Sequence, residues 1–233
     1  MSAEEFKRVA AEKALDFVED GMVLGLGTGS TAAYFVKGLA ERVKKGLKVS
    51  GAPTSLATEK LALDLGVPLI DLSKCDHIDL TVDGADEFDP QLRLIKGGGA
   101  ALLREKIIAD FSKRMIVITD ASKRVDVLGK FPLPVEVTQF GIDLTRQKIA
   151  AALRAAGCAS DEIVLRLKDG APLVTDGGHY ILDCRCQKIL DADGLARALS
   201  QIPGVMEHGL FIGVAEAVIV ADAAGAQVIK PRA

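Results

Sequence analysis

The segment Lys96-Gly97-Gly98-Gly99-Ala100-Ala101-Leu102-Leu103-Arg104-Glu105 sets a lysine, a run of backbone without side chains and a carboxylate along a short stretch of chain. Glycine amides can approach a ligand with no Cβ in the way, and the first amides of a helix have no intrahelical acceptor, so negative charge is favoured beside them. Lys96 adds a cation that can share an oxyanion with those three bare amides. Glu105 has Ala101 and Ala109 four residues away on either side, small neighbours that leave its carboxylate open to a ligand. A base beside an anion-stabilising pocket is the equipment for moving a proton next to a carbonyl. The same residues also fit a flexible loop followed by an ordinary solvated glutamate.

Three further loops carry polar chemistry. Gly25-Leu26-Gly27-Thr28-Gly29-Ser30-Thr31 joins an apolar run to a helical pattern, so its amides and the hydroxyls of Thr28, Ser30 and Thr31 form a phosphate cradle. It is not a dinucleotide fingerprint, because G-x-G-x-x-G needs glycine where Ser30 stands, and Gly51-Ala52-Pro53-Thr54 after the second strand offers no acid for a ribose. It also lacks the Gly-Lys-Ser/Thr of a P-loop. Asp83-Gly84-Ala85-Asp86-Glu87 packs three carboxylates together, which raises at least one pKa and suits proton exchange or hydroxyl binding. Magnesium binding and a solvated acidic turn are the other readings of that loop. Asp120-Ala121-Ser122-Lys123 can bring Lys123 to the same edge as a phosphate cation. Lys7 fits a solvated helix position better, and His77, His179 and His208 stand apart from one another.

These loops need a scaffold that gathers them. The chain has 233 residues, 49% hydrophobic and 26% charged, with a net charge of -3, enough for two modest globular domains. An isoelectric point near 5.7 and no lysine-rich run give no support for nucleic-acid binding. Ser2-Ala3-Glu4-Glu5 reads as a capping box opening an amphipathic helix rather than a signal peptide, and no segment reaches the roughly 18 apolar residues of a membrane span. Cys75, Cys158, Cys184 and Cys186 lack C-x-x-C spacing, which suits a reducing cytoplasm without zinc or disulfides.

Up to about residue 128, strands at 22–26, 47–50, 67–70, 78–82 and 115–119 alternate with helices at 30–45, 54–65 and 100–111, the pattern of a parallel α/β sheet. Such sheets bind ligands at the carboxyl ends of their strands. After Phe131-Pro132-Leu133-Pro134 the order is strand 134–138, helix 143–156, strands 162–167 and 179–184, helix 193–201 and strand 205–211, a ferredoxin-like βαββαβ arrangement. A last pair, 216–221 and 226–230, returns to the first domain. The expected domains are therefore a Rossmann-like one of residues 1–130 and 207–233, and a small α/β one of residues 131–206.

Taken together, Gly25-Leu26-Gly27-Thr28-Gly29-Ser30-Thr31, Asp83-Gly84-Ala85-Asp86-Glu87, Lys96-Gly97-Gly98-Gly99-Ala100 with Arg104-Glu105-Lys106, and Asp120-Ala121-Ser122-Lys123 followed by Gly129-Lys130-Phe131-Pro132-Leu133-Pro134-Val135-Glu136 resemble ribose-5-phosphate isomerase type A. The resemblance runs in order through essentially the whole chain. It implies interconversion of D-ribose 5-phosphate and D-ribulose 5-phosphate through an enediolate, with no metal or organic cofactor. It implies Glu105 as the base moving a proton between C2 and C1, with Asp83, Asp86 and Lys96 at the reacting end. Substrate contacts would come from Thr28, Gly29, Ser30, Thr31, Gly84, Ala85, Gly97, Gly98, Gly99 and Lys123. It further implies a cytoplasmic homodimer or dimer of dimers, assembled through the small domain, with a sugar phosphate as its small-molecule partner. The rival readings are a sugar-phosphate-sensing regulator of related fold and a magnesium-dependent phosphosugar enzyme using Asp83, Asp86 and Glu87.

Overall fold

In the computed structural model, which describes residues 2–231, the N-terminal capping box forms as the sequence requires. Ser2 Oγ accepts the Glu5 amide, the Glu5 carboxylate accepts the Ser2 amide, and α1 (Ala3–Ala14) follows. The remaining helices are α2 (Ser30–Lys44), α3 (Leu56–Leu65), α4 (Leu102–Asp110), α5 (Ile142–Ala155) and α6 (Ala192–Leu199). The strands are β1 (Val23–Leu26), β2 (Ser50–Pro53), β3 (Leu80–Asp83), β4 (Glu87–Phe88), β5 (Leu94–Ile95), β6 (Met115–Asp120), β7 (Leu133–Val137), β8 (Ile163–Leu165), β9 (Leu167–Lys168), β10 (Ala171–Pro172), β11 (Tyr180–Cys184), β12 (Val205–His208), β13 (Leu210–Phe211), β14 (Ala217–Asp222) and β15 (Gly225–Ile229). No helix among the described residues is long and apolar enough to cross a membrane.

The chain divides into two compact units, one of residues up to 85, 104–124 and from 213 onward, the other of residues 86–103 and 125–212. In the first, six strands lie in the order β15-β14-β6-β3-β1-β2, parallel except for β15. Side chains alternate across a strand, and here the alternation divides the sheet into two unlike faces. Leu24, Leu26, Leu80, Val82, Ile116, Ile118, Ile219 and Ala221 fill one core with residues of α1, α2 and α3. The opposite face carries Gly25, Ala52 and Thr81, small residues over which Ile108 of α4 packs. β2 begins at Ser50, later than the expected 47–50, because Lys48 instead holds the Gly21 amide and donates its own amide to Asp20. The expected strand at 67–70 is reduced to one bridge between Leu69 and Gly51.

In the second unit the βαββαβ order is realised as an antiparallel sheet, β12-β7-β11-β8, around Val135, Val137, Leu153, Leu182 and Leu195. The expected hairpin at 162–184 carries an extra two-stranded excursion, β9 and β10. Residues 86–103, 125–130 and 207–212 fall here, against the expected boundaries: β4 and β5 pair with β13 in a three-stranded sheet, and β13 follows directly on β12 of the four-stranded one. Buried Asp89 closes that β4–β5 turn by accepting the Gln91 and Arg93 amides and the Arg93 guanidinium. All four cysteines are free thiols.

Glu87 on β4 is a structural residue. Its carboxylate accepts the Gly129 amide at 2.8 Å and the Phe131 amide. Burial raises its pKa above the ordinary glutamate value of 4.5 despite those two bonds, with the Asp86 charge the smallest of the causes. A carboxyl whose folded-state pKa is raised contributes stability that is present below the unfolded value and lost as pH rises through the folded value. Stability in urea measured against Glu87→Gln, which does not titrate, is therefore expected to decline as pH rises from about 4 towards 7. A wild-type advantage that grows over that interval contradicts the assignment.

Candidate active site

β6, β3 and β1 are adjacent parallel strands, so the loops after Leu26, Asp83 and Asp120 leave the sheet at one edge. At that edge, Gly27 is the first residue beyond β1, and its amide bonds the Val82 carbonyl at 3.0 Å. A Cβ on Gly27 would lie 2.2 Å from Asp83 Oδ1 and 2.6 Å from Asp83 Cα, so only glycine lets the loop pass. Asp83 is fully buried, and its Oδ1 accepts the amides of Thr28 (3.1 Å) and Gly84 (2.7 Å). The acid thus ties the end of β3 to the start of the phosphate-cradle loop.

The hydroxyls of that loop divide. Thr28 Oγ1 lies within 2.8 Å of both Thr54 Oγ1 and Ser55 Oγ and 3.2 Å from Thr58 Oγ1. It anchors the loop, and sequence reasoning missed Thr54, Ser55 and Thr58, the partners that hold it. Gly29 caps α2 at φ 107°, ψ 178°, a conformation nearly confined to glycine, and no side chain caps the helix. The first amides of α2, with the Ser30 and Thr31 hydroxyls beside them, thus have the make-up of an anion-binding helix start. Lys123 ends a short turn after β6, held by Asp120 Oδ1 accepting the Ser122 amide at 2.9 Å.

Glu105 lies in the first turn of α4 and is only 4% exposed, so it is enclosed, not open between small neighbours as its spacing suggested. Its helix sits close to the sheet because Gly25 beneath it has no side chain: a Cβ there would come within 2.8 Å of Ile108 Cγ2. Ser112 Oγ fixes the end of α4 by bonding Thr81 Oγ1 at 2.7 Å and the Ile108 carbonyl at 2.6 Å. Asp83 shares the parity of Thr81 on β3, so its carboxylate belongs to the sheet face over which Ile108 of α4 packs.

The second unit holds Asp86, Lys96 and Gly97 to Gly99. Asp86 Oδ2 accepts the Gly98 amide at 2.8 Å, so of the three expected bare amides, that of Gly98 is occupied. Lys96 is buried, with Nζ 5.4 Å from the centre of the Phe211 ring. Gly97 at φ 105° and Ala100 at φ 61° bend the loop, and the Ala100 amide bonds the Gly97 carbonyl at 3.0 Å. Arg166, which no local pattern singles out, donates to the carbonyls of Gly97 and Gly98.

The three acids therefore serve different amides: Asp83 those of Thr28 and Gly84, Asp86 that of Gly98, and Glu87 those of Gly129 and Phe131. No group of three or more His, Cys, Asp or Glu side chains among the described residues is placed to hold a metal ion. Lys7 pairs with Glu4 at 2.6 Å. A cavity of about 410 Å³ in the first unit is lined by Leu69, Ile70, Leu72, Arg104 and Ile107 among others, and by none of the expected site residues.

The sequence profile of ribose 5-phosphate isomerase A (phosphoriboisomerase A) matches residues 50–225. The ribose-5-phosphate isomerase A of Methylorubrum extorquens is 57% identical over 225 residues, 97% of this chain and 95% of that protein. That of Nitrobacter hamburgensis is 56% identical over 232 residues, the full length of both. The chain belongs to the ribose-5-phosphate isomerase A family. Among solved structures, the Plasmodium falciparum ribose 5-phosphate isomerase is 34% identical, with a TM-score of 0.92 over 99% of this chain and 100% of that one. A D-ribose-5-phosphate isomerase in complex with phospho-erythronic acid is 41% identical, with a TM-score of 0.90 over 99% of this chain and 100% of that one. Ribose-5-phosphate isomerase A is an aldose–ketose isomerase of the pentose phosphate pathway, interconverting D-ribose 5-phosphate and D-ribulose 5-phosphate.

For an isomerase of this family, the crowding at Gly27 gives a direct test. Gly27→Ala forces Asp83 aside, and since backbone as well as side chain is within contact range, rotamer change cannot relieve it. A shift of about 1 Å in an active site costs about 10²-fold in rate, and the overpacking itself about 1–3 kcal/mol. The expected result is kcat/KM lower by roughly two orders of magnitude in a protein that still folds.

Proposed function

We propose that Glu105 is the general base that carries the substrate proton between C2 and C1. The observation that supports this most directly is its enclosure, 4% exposed, on the helix that covers the sheet face to which Asp83 belongs. In the forward direction the C2 proton of open-chain ribose 5-phosphate passes to the Glu105 carboxylate, and the C2–H electrons form the C1–C2 double bond of an enediolate with negative charge on O1. The same proton returns to C1, and the hydroxyl proton of O2 moves to O1, which leaves the ketone at C2. The atoms and charge balance without an added redox partner.

Such a carbon-bound proton is weakly acidic, so the charge forming on oxygen needs donors placed in advance, each worth a few kcal/mol. The reading assigns that task to Lys96 and to the Gly97 and Gly99 amides, and the proton movements among the oxygens to Asp83 and Asp86. It assigns the phosphate to the first amides of α2, the Ser30 and Thr31 hydroxyls and Lys123, with Gly29, Gly84 and Ala85 contributing backbone. A grip remote from the reacting carbons supplies binding energy for orientation. Phospho-erythronic acid, named with one of the similar structures, joins a phosphate to a carboxylate in one short chain and suits this division.

The proposal extends to a cytoplasmic homodimer or dimer of dimers, assembled through residues 131–206. Phe140, Leu144, Leu167 and Leu190, large apolar side chains exposed in that stretch, support it.

Glu105→Gln removes the base but keeps the shape. Turnover on ribose 5-phosphate is expected to fall by roughly 10²–10⁴-fold with KM changed far less, measured as ketopentose formation. Turnover within a few-fold of the parent enzyme rejects Glu105 as the base. The parent enzyme is also expected to keep its rate in excess EDTA, and a metal-restored loss would favour the magnesium reading.

A further inference from the structure

We infer that Arg166 is a positioning residue for the isomerisation, setting the orientation of the glycine loop and, through it, of Asp86. Its Nη1 donates to the Gly97 carbonyl at 2.8 Å and to the Gly98 carbonyl at 3.2 Å. The guanidinium is itself braced by both carboxylate oxygens of Asp183, with Nε 2.9 Å from Oδ2. Its backbone is fixed on two sides, the amide on the Ile181 carbonyl and the carbonyl on the Leu173 amide, each at 2.9 Å. A planar fork held in this way has little freedom to follow a mobile loop, so the loop conforms to it.

The consequence follows from peptide geometry. In a trans peptide the C=O and the following N–H point in opposite directions, and the chain has no cis peptide bond among the described residues. Holding the Gly97 and Gly98 carbonyls on Arg166 turns the amides of Gly98 and Gly99 to the opposite side. Asp86 lies on that side, since its Oδ2 receives the Gly98 amide at 2.8 Å. One guanidinium therefore selects a single orientation for two successive glycine peptides, which have no side chains to select one. It also fixes Asp86 through the Gly98 amide and points the Gly99 amide to the same side as that acid. This rests on the reading above, in which the glycine amides hold the oxyanion.

The test compares Arg166→Met, Arg166→Lys and Asp183→Asn with Glu105→Gln and the parent enzyme, measuring kcat, KM, thermal midpoint and inhibition by phospho-erythronic acid. Arg166→Met is expected to lower kcat by roughly 10²-fold, as for loss of an oxyanion donor, with KM within about threefold. Free guanidinium ion is expected to restore part of the rate. Arg166→Lys should recover thermal stability but not kcat, because an ammonium cannot brace on Asp183 and hold two carbonyls together. Asp183→Asn should fall between, and phospho-erythronic acid should bind Arg166→Met more weakly in step with kcat. Parent kcat in Arg166→Met overturns the inference, as does a loss that tracks the unfolded fraction and does not respond to guanidinium. Parent kcat in Arg166→Met with a collapsed rate in Glu105→Gln overturns the clamp alone and leaves the base. A collapsed, guanidinium-rescued rate in Arg166→Met with parent turnover in Glu105→Gln overturns the base and leaves the clamp.

Discussion

At the carboxyl end of β1 the structure has no room for a side chain. Gly25 lets Ile108 of α4 settle against the sheet beside Thr81, and Gly27 lets the chain cross in front of Asp83. Everything placed at that edge depends on this lack of bulk. The depth of α4 sets how far Glu105 is enclosed, and the crossing at Gly27 brings the Thr28 amide within 3.1 Å of Asp83. The apolar face of the same strand, Leu24 and Leu26, anchors it to the core beneath α1 and α2, so β1 is large on one side and bare on the other for separate reasons. Packing against α1 and α2 fixes the first side, and the close approach of Ile108 and Asp83 the second.

The second unit meets a related difficulty by other means. A run of three glycines has the conformational freedom that ligand approach requires, and that freedom must be removed before the amides are of use. Asp86 removes it from one side and the Arg166–Asp183 pair from the other. Ala100, held at φ 61° where a Cβ is disfavoured, adds local strain of the kind that accumulates where surrounding contacts over-determine the backbone. The acids that look alike along the sequence are thereby separated by task. Glu87, adjacent to Asp86 in the chain, is a buried structural carboxylate, and Asp86 aligns a loop.

Much of this was legible in the sequence. The strand–glycine–helix signal at 22–31 was accurate because a long amphipathic helix with a glycine entry is a strong local pattern, and the βαββαβ order was readable from its alternating segments. The misses have physical causes. β2 was placed too early because Gly51 and Ala52, small residues facing a close neighbour, do not read as strand. β4, β5 and β13 are two residues each, too short for any periodicity to mark them as part of the second unit. The alanine neighbours of Glu105 indicate room, whereas its enclosure comes from a sheet distant in sequence, which local spacing does not encode. Arg166 meets its glycines across more than sixty residues, a pairing no local spacing encodes.

The cluster of Thr28, Thr54, Ser55 and Thr58 joins the loop after β1 to the start of α3 through uncharged groups, hydroxyl to hydroxyl and from Thr54 and Thr58 to the carbonyls of Leu26 and Gly27. A hydroxyl donates and accepts at once and carries no charge near neutral pH, so such a joint neither titrates in the working range nor weakens as salt screens ion pairs. On this side the loop is therefore fastened by a part of the protein indifferent to charge, whereas on the other the Asp83 carboxylate holds the Thr28 amide. Acid that protonates Asp83 weakens the bond from the Thr28 amide but leaves the hydroxyl cluster in place, so the two parts of the loop's fastening respond to solution conditions separately.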